Sequence, residues 1–382
     1  MVYVTTLRKE IEAEQVVDFS QMLFNFNMDM SMFQKVKKWG NGATYTKTYE
    51  VVPREIAAGY DIPGAIECLE MFNRKWDALE KADKSTLYDK FFIPKRSGGL
   101  REINAPHEDL KAALYELDAI LTIKCKGLHH TAAYAYVEGR SCIDAVKKHQ
   151  QNESNWFLKT DFSDFFGSTT KEFVMSMFAR IYPFSEIIAH ENGREEFSKA
   201  LDLCFLNGGL PQGTPISPTI TNIMMIPFDH MFNTWCCEHR YVYCRYADDM
   251  IISCVQSFKP EEMTDRINSF LAVFGAPFQI KDKKTRYGSR GGSNWNLGVM
   301  LNRDNNITIG HANRKLFKTM VFNYLMDRKN GIAWEIDDVH HLAGLSSWYR
   351  AVNKDDTDAL IAKIEAKTGM SFKRELHDNL YN

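Results

Sequence analysis

Two adjacent carboxylates interrupt a run of strand-forming residues past the middle of the sequence. Asp248 and Asp249 stand in the stretch YVYCRYADDMIISCV, residues 241–255, between two segments rich in β-branched and aromatic residues. Segments of that composition favour β-strands, so the stretch predicts a β-hairpin with both acids at its tip. Like charges at one tip are unfavourable without a counter-charge, which a bound cation would supply. An Asp-Asp turn with no further role is the alternative that the motif alone leaves open.

A third acid in the sequence shares this setting. Asp161 follows the apolar segment WFLKT and begins the aromatic segment DFSDFF, so it is predicted to end a buried strand. Two strands of one sheet can bring Asp161 and Asp248 together, and two such carboxylates can hold two divalent ions. Carboxylate oxygens favour Mg²⁺ or Mn²⁺ over zinc. A helix cap or turn cap is the alternative role for Asp161 taken alone.

Composition narrows the class of protein without pointing to a partner. The 382 residues carry a formal net charge of -2, with 45% hydrophobic and 25% charged residues, as in ordinary globular proteins. This balance restricts any nucleic-acid surface to local basic patches, of which the run 281–290 is one. The eight cysteines include no C-x-x-C pair, so we expect neither a zinc site nor a disulfide framework. Without an export leader or a long apolar segment, we expect a cytoplasmic protein with no membrane association.

Secondary-structure patterns divide the chain into three predicted regions. Residues 1–85 are predicted to form a helical N-terminal extension, because apolar residues recur at helical spacing. Residues 86–300 contain the predicted hairpin DKFFIPKRSGGLREINAP, the strand that ends at Asp161, the YADD hairpin and the strand-like segment WNLGVMLN. Residues 301–382 are predicted to be helical, and their first helix begins with basic residues.

The order and spacing of several segments resemble those of prokaryotic reverse transcriptases. The segments are IPKRSGGLREI, GRS, DFSDFF, LPQGTPISP and YADD, followed by a basic run and the apolar NLGVML. The resemblance covers residues 90–350 and is to the enzymes of retrons, group II introns and phage-defence systems. It implies an α+β right-hand polymerase with interleaved fingers and palm at 86–300 and a helical thumb at 301–382. The palm would contain an antiparallel ferredoxin-like sheet with helices.

The resemblance implies that the three acids perform the chemistry of an RNA-directed DNA polymerase. Asp161 and Asp248 would hold two ions of Mg²⁺ or Mn²⁺, with the carbonyl of Phe162 assisting and Asp249, close by, completing the metal-binding and catalytic set. One ion would activate the 3′-OH of a primer, and the other would stabilise the leaving pyrophosphate of a dNTP.

The resemblance also implies a set of nucleotide contacts. Lys95 and Arg101 on the basic hairpin would bind the triphosphate, with a solvated basic turn as the alternative. Phe166 stands where the family places a ring that excludes a ribose 2′-OH, and a buried core phenylalanine is the alternative. Gln212 would reach the nucleotide sugar or the template base. Lys284, in the basic run 281–290, is the candidate phosphate contact there, against a simple solvated face.

Contacts to template and primer are expected along the same surface. Gly213 would let the proline-bounded loop LPQGTPISP approach a ligand closely. Arg140 would contact the template strand or brace the fingers, and Leu297 and Gly298 would lie on a strand gripping the primer end. The predicted nucleic-acid contacts are Arg140, Gly213, Pro215, Leu297, Gly298, Arg314 and Lys315.

Three functions fit these residues. The first is RNA-templated DNA synthesis, on a partner non-coding RNA in an antiviral or retron-like system, with an RNA template, a DNA or RNA primer and dNTPs as partners. The second is template-independent or protein-primed DNA synthesis in an abortive-infection or defence system. The third is a non-catalytic RNA-binding scaffold, which the intact acids argue against. A protein partner or a second copy of the chain is compatible with each. The segments DAVKKH and NLGVML stand in place of the Asn-Ala-x-x-His and Val-Thr-Gly elements that retron enzymes tend to carry, which counts against retron membership without excluding it.

Overall fold

Helices and short sheets alternate through the described part of the chain. The computed structural model describes residues 34–35, 48–49, 61–95, 98–123, 128–292 and 295–381. The predicted helix at residues 8–26 lies outside the described residues, as does most of the predicted N-terminal extension.

The bounds of the regular elements are as follows. In chain order the helices are α1 Ile62–Glu80, α2 Glu108–Ile123, α3 Cys142–Gln151, α4 Phe165–Ser168, α5 Lys171–Phe178, α6 Phe184–Ala189, α7 Glu191–Asp202, α8 Ser217–Met224, α9 Ile226–Glu238, α10 Pro260–Val273, α11 His311–Lys329, α12 Ile336–Val352, α13 Lys354–Thr368 and α14 Phe372–Tyr381. The strands are β1 Gln34–Lys35, β2 Thr48–Tyr49, β3 Tyr88–Pro94, β4 Leu100–Pro106, β5 Trp156–Asp161, β6 Val242–Tyr246, β7 Asp249–Cys254, β8 Arg286–Ser289, β9 Trp295–Asn296, β10 Val299–Leu301 and β11 Ile307–Thr308.

The chain forms two compact units. The first unit comprises the described part of residues 1–140, together with 159–252 and 258–285. The second comprises the described residues of 141–158, 253–257 and 286–382. The division passes through strands β5 and β7, each of which contributes residues to both units. The predicted boundaries near residues 86 and 301 separate the N-terminal extension, the fingers with the palm, and the thumb. These boundaries stay a prediction.

Local sequence signals explain where several helices begin. Helix α1 starts after Asp61, whose carboxylate accepts a hydrogen bond from the Gly64 N–H at 2.9 Å. Helix α3 starts with a capping box, in which Ser141 and Asp144 each bond the other's backbone N–H. These caps satisfy N–H groups that a helix cannot pair internally.

The central sheet has the strand order β6-β7-β5-β8. Consecutive residues of β6 and β7 are buried, so both faces of these strands are covered. The N–H of Asn155 donates to Cys254 and the N–H of Phe162 donates to Asp248, which shows that β5 runs antiparallel to β7. The predicted mixture of helices with an antiparallel sheet is therefore confirmed.

Aromatic side chains dominate the core of the first unit. The rings of Phe162 and Phe165 each lie 4.9 Å from the ring of Phe278, centre to centre. Aromatic rings at such distances add attraction to the free energy gained by burial. This cluster lies immediately behind the end of β5 and supports Asp161 from the core side.

The second unit has its own helical core, and it corrects one strand prediction. Buried residues of α11 to α14 pack together around Phe317, Tyr324 and Leu342. The segment WNLGVMLN, predicted to be one strand, is instead the hairpin β9–β10. Leu297 and Gly298 form its turn with φ of 53° and 89°. Two central residues with positive φ suit a two-residue hairpin turn.

No helix in the described ranges is both long enough and apolar enough to cross a membrane.

Candidate active site

The YADD turn joins β6 to β7. Tyr246 ends β6 and Asp249 begins β7, so Ala247 and Asp248 form the turn itself. Ala247 is 8% exposed and has a φ of 56°. Because alanine rarely adopts a positive φ, contacts around the turn must hold this conformation. The predicted hairpin with its acids at the tip is confirmed.

The end of β5 adjoins this turn. Asp161 is the last residue of β5 and is 4% exposed. The N–H of Phe162 donates to the Asp248 carbonyl at 3.2 Å, and the N–H of Lys281 donates to the Asp161 carbonyl at 2.8 Å. The structure therefore brings Asp161 and Asp248 to neighbouring positions at the ends of adjacent strands.

Burial and repulsion together shift the acidity of these carboxyl groups. Burial raises the pKa of Asp248, and the negative charges of Asp249 and Asp161 add to the rise. Burial also raises the pKa of Asp249, where the Lys159 ammonium opposes the rise and Asp161 adds to it. A raised carboxyl pKa means that the ionised form is disfavoured in the fold. Cations near these groups therefore stabilise the ionised site.

Two lysines already contribute positive charge. Lys159 lies two positions before Asp161 on β5, and its ammonium nitrogen is 3.5 Å from Asp249 Oδ1. Lys284, predicted as a phosphate contact, forms an ion pair with Asp161 Oδ2. The phosphate role of Lys284 stays a prediction, but the contact seen is with a carboxylate.

The oxygen atoms at this place fit a divalent cation. Asp161 Oδ1 is buried and has no hydrogen-bond partner within the described ranges. Phe162 lies opposite Ile280 in an antiparallel bridge, and its N–H points away from Ile280 towards the Asp248 carbonyl. In extended backbone a residue's carbonyl points to the same side as its N–H, so the Phe162 carbonyl also faces the turn. A buried carboxylate oxygen and a carbonyl on one side are ligands that Mg²⁺ accepts.

Asp249 stays a predicted ligand of the metal site. Across the described residues, no set of three His, Cys, Asp or Glu side chains is arranged to hold a metal ion. The predicted ligands are still the carboxylates of Asp161, Asp248 and Asp249 with the backbone oxygen of Phe162. Asp249, beside Lys159, lies close by, which is the role that the resemblance implies for it.

The basic hairpin β3–β4 has two different faces. In its register Arg101 lies opposite Ile93, and Ile103 lies opposite Phe91, so these four residues share one face. Lys90 belongs to the other face and pairs with Glu102 at 2.9 Å. Lys95 lies at the tip, where its N–H donates to the Gly99 carbonyl at 2.9 Å.

The loop LPQGTPISP packs directly against this hairpin. The N–H of Asn104 on β4 donates to the Gln212 carbonyl at 2.8 Å. Gly213 has a φ of 114°, and a Cβ at this position would lie 2.7 Å from Ile103 Cγ2 and 2.9 Å from the Asn104 carbonyl oxygen. The close approach expected for Gly213 is thus to the protein's own strand β4. Ile103 lies on the Arg101 face, so that face is the one directed towards the loop.

Phe166 differs from its neighbour Phe165. Phe165 is 2% exposed and belongs to the aromatic core, whereas Phe166 is only half-buried. The carbonyl of Phe166 accepts a hydrogen bond from the Leu210 N–H at 2.9 Å, which links α4 to the loop that carries Gln212. This setting favours the interpretation of Phe166 as a wall of the nucleotide site over a core residue.

Arg140 braces its own segment. Its Nη1 donates to the Ala133 carbonyl at 2.6 Å and to the carbonyls of His130 and Thr131 at 3.2 and 3.3 Å. The bracing role is therefore observed, and a template contact stays a prediction. Pro215 is half-buried just before α8.

The remaining predicted nucleic-acid contacts belong to the second unit. Leu297 and Gly298 lie in the β9–β10 turn and not on a strand. Arg314 forms two 2.8 Å hydrogen bonds to Asp356 on α13, so its guanidinium is engaged within the unit. Lys315 is exposed.

Several residues near the acids escaped sequence analysis. Lys159 shares a strand face with Asp161, a relation that alternation along β5 could have revealed. Tyr136 is a second such residue. Burial raises the pKa of its hydroxyl, and the negative charge of nearby Asp248 adds to the rise. Arg245 and Asp229 form a completely buried ion pair beneath the YADD turn. Only the position of Arg245 directly before Tyr246 could have drawn attention to that pair.

An antiparallel sheet with helices, with acids at the end of β5 and at the YADD turn, is the pattern expected of a nucleic-acid polymerase, and sequence comparison gives the family. The sequence profile described as "Reverse transcriptase (RNA-dependent DNA polymerase)" matches residues 93–320, so the chain belongs to the reverse transcriptase family. Members of this family are RNA-directed DNA polymerases, a class of nucleotidyltransferases that copy an RNA template and use divalent metal ions. The predicted enzyme class is confirmed.

Bacterial retron enzymes are among the similar proteins. Retron Ec83 reverse transcriptase of Escherichia coli is 29% identical over 305 residues, covering 78% of this chain and 91% of that protein. Retron Ec73 reverse transcriptase of Escherichia coli is 27% identical over 301 residues, covering 76% and 90%. Retron Mx162 reverse transcriptase of Myxococcus xanthus is 27% identical over 254 residues, covering 61% and 51%. The resemblance to prokaryotic reverse transcriptases is confirmed, and it is of retron type despite the segment DAVKKH.

Solved telomerase structures are also similar to this chain. Telomerase from Candida albicans, in complex with a fragment of telomeric RNA, has a TM-score of 0.45 and 11% identity, covering 92% of this chain and 67% of that one.

Proposed function

We propose that this chain adds dNTPs to a primer 3′-OH with two Mg²⁺ ions held at Asp161 and Asp248. The observation that carries the proposal is the junction of β5 with the YADD turn. There the Phe162 N–H bonds the Asp248 carbonyl, and the buried Asp161 Oδ1 has no hydrogen-bond partner within the described part of the chain. When bound, the ions would activate the 3′-OH and stabilise the leaving pyrophosphate.

The protein's own groups would bind and orient the substrates. Lys95 and Arg101 would bind the triphosphate through charge-assisted hydrogen bonds, with Arg101 on the hairpin face that packs against the Gln212 loop. Phe166, half-buried beside that loop, would exclude a ribose 2′-OH. Gln212, whose backbone is fixed by Asn104, would contact the nucleotide sugar or the template base.

The proposed template is a dedicated non-coding RNA in a retron-like antiviral system. The two Escherichia coli retron reverse transcriptases align with this chain over 91% and 90% of their own length, which supports that setting. The identity of the template is tested by purifying the full chain from cells that express it from its native locus and sequencing the nucleic acid bound to it. Product joined to one specific RNA supports the proposal, whereas product joined to protein or made without template supports the protein-primed alternative.

The metal ligands are tested by substitution. Asp161→Ala and Asp248→Ala should abolish incorporation of labelled dNTPs while the circular dichroism spectrum is unchanged, because each removes a metal ligand. Asp338→Ala, at an exposed aspartate of α12, is the matched control and should retain activity. A variant of Asp161 or Asp248 that keeps a tenth of the wild-type rate would contradict the assignment of that acid. Full activity in both variants would place catalysis at another site.

A further inference from the structure

A completely buried ion pair lies beneath the YADD turn. Arg245 on β6 and Asp229 on α9 are both 0% exposed, with Nη2 2.7 Å from Oδ2. The Arg245 Nε also donates to both carboxylate oxygens, at 3.0 and 3.1 Å. Burying two charges is costly, and apolar residues of similar volume often stabilise a fold equally well. The pair therefore calls for a role besides stability.

The remaining nitrogen of the guanidinium reaches the turn. Arg245 Nη1 donates to the Ala247 carbonyl at 3.0 Å and to Asn222 Oδ1 at 3.3 Å. That carbonyl belongs to the peptide that joins Ala247 to Asp248. Since Ala247 has the unfavourable φ of 56°, the hydrogen bond holds this peptide in an orientation that alanine would otherwise leave. The orientation of the peptide sets the direction in which the Asp248 side chain leaves the turn.

The same network fixes a neighbouring segment of the chain. The Arg245 N–H donates to the Ala132 carbonyl at 2.7 Å, and its carbonyl accepts from the Tyr134 N–H at 2.9 Å. The side chain of Asn222 on α8 donates to the Ala135 carbonyl at 2.8 Å. Helices α8 and α9 therefore hold the guanidinium, and residues 132–135 hold the backbone of Arg245 and the side chain of Asn222.

We propose that Arg245, held by Asp229, is the positioning residue for the metal-binding turn. It acts through the Ala247 carbonyl on Asp248, and through the hydrogen bond between Asp248 and Phe162, the residue that follows β5. This inference rests on the proposed two-metal function and adds the group that keeps the ligands in register. It requires that loss of the guanidinium weakens metal binding even when the fold is intact.

The test replaces the ion pair by apolar side chains. The double variant Arg245→Met with Asp229→Leu removes both buried charges together and keeps a similar volume, so we expect it to fold. We expect its affinity for Mn²⁺, measured by electron paramagnetic resonance without nucleotide, to fall about tenfold, along with a similar fall in kcat at little changed KM for dNTP. Hydrogen exchange at the Phe162 amide should become faster, while exchange along β7 should not change.

Tyr243→Phe is the matched control. The Tyr243 hydroxyl donates to Asp229 Oδ1 at 2.8 Å within the same buried network but does not contact the turn. This variant should lower the melting temperature and leave Mn²⁺ affinity, kcat and Phe162 exchange unchanged. If it weakens Mn²⁺ binding as much as the double variant does, the network acts through general stability and the proposal is overturned.

A second variant keeps the test decisive if the double variant does not fold. Arg245→Lys retains a positive charge beside Asp229, but a single ammonium cannot reproduce the bonds to both Asp229 and Ala247. It should show the same loss of Mn²⁺ affinity and kcat. A folded double variant or lysine variant with wild-type values for these quantities would overturn the proposal. A wild-type protein that binds Mn²⁺ at the turn but incorporates no dNTP would instead overturn the proposed function.

Discussion

Phe165 and Phe166 are consecutive residues with different environments. Phe165 is in the core, whereas Phe166 is half-buried beside the loop of Gln212. If the Phe166 ring excludes a 2′-OH, Phe166→Ala should let ribonucleotides enter. We expect the selectivity, which is kcat/KM for dGTP divided by kcat/KM for rGTP, to fall. The fall should correspond to at most several kcal/mol of discrimination, with little change in melting temperature. Steady-state kinetics with both nucleotides measures that ratio.

Phe165→Ala provides the comparison for this experiment. Truncating a buried phenylalanine costs about 3–5 kcal/mol of unfolding free energy, so this variant should be less stable. Its sugar selectivity should fall much less than that of Phe166→Ala, because the ring packs mainly on Phe162 and Phe278 in the core and meets Phe166 only by an edge contact, with 5.4 Å between ring centres. Equal selectivity in all three proteins would return Phe166 to a packing role.

At this scale the sequence predicts residue types better than partners. Asp161, Asp248 and Asp249 could be found because acids at the ends of strand-like segments have few other uses. Lys159 and Lys284 could be found only as basic residues, since their pairing with Asp249 and Asp161 depends on strand order. Arg245 was missed because a buried charge between Tyr243 and Tyr246 looks like any strand residue until Asp229 is seen beside it.

Among the elements, the basic hairpin β3–β4 offers a test of its two faces. Lys95→Ala and Arg101→Ala should each raise the KM for dNTP or lower kcat, because a charge-assisted bond to the triphosphate is worth about 1.5–3 kcal/mol. Lys90→Ala, on the opposite face, should change these constants little. Pre-steady-state incorporation kinetics distinguishes the two faces. Weaker template binding at unchanged nucleotide kinetics would place Lys95 and Arg101 on nucleic acid instead.

The contact between this hairpin and the loop of Gln212 gives a second test. Gly213→Ala should raise the KM for dNTP, because its methyl group would lie against Ile103 and the Asn104 carbonyl and would move the loop away from β4. Gly208→Ala is the control: Gly208 also has a positive φ, of 82°, but a Cβ there meets open space. Both variants carry backbone strain of about 1–2 kcal/mol, so only the packing effect separates them. Equal nucleotide kinetics in the two variants would show that the contact has no functional role.

Element boundaries show where sequence patterns fail. The hairpin β3–β4, the YADD hairpin and α10 follow from turn residues and from apolar spacing. The segment WNLGVMLN looks like one strand because its apolar residues are continuous, and leucine at 297 gives no sign of a left-handed turn. Propensity describes average behaviour, and at Leu297 the pairing of Asn296 with Val299 overrides it.

For the whole molecule, the division into two units could not be read from the sequence. It passes through β5 and β7, and the second unit collects segments as distant as 141–158 and 286–382. Such a division depends on contacts between remote parts of the chain, which local periodicity does not encode. The helical character of the C-terminal region, in contrast, is local and was predicted.

The second unit contains a buried histidine that should make overall stability depend on pH. His149 on α3 is completely buried, its Nδ1 lies 2.6 Å from Ser253 Oγ, and burial lowers its pKa to about 3. In the unfolded chain a histidine has a pKa of about 6.5, so below that pH the unfolded state binds a proton that the folded state does not. Stability contributed by the neutral imidazole is therefore lost as pH falls.

Urea unfolding of the wild type and of His149→Gln at pH 7 and pH 5 measures this effect. The loss between the two pH values should be larger for the wild type by about 2 kcal/mol, because titration of one unfolded histidine is worth 1.36 kcal/mol per pH unit below its pKa. Ser253→Ala is the control, since it removes the neighbouring hydroxyl but keeps the imidazole buried; its unfolding free energy should be lower at both pH values with the wild-type difference between them. All other titrating groups are shared by the three proteins and cancel in the comparison. An equal loss in wild type and His149→Gln would mean that His149 gains a proton within the fold, and burial would then not control its pKa.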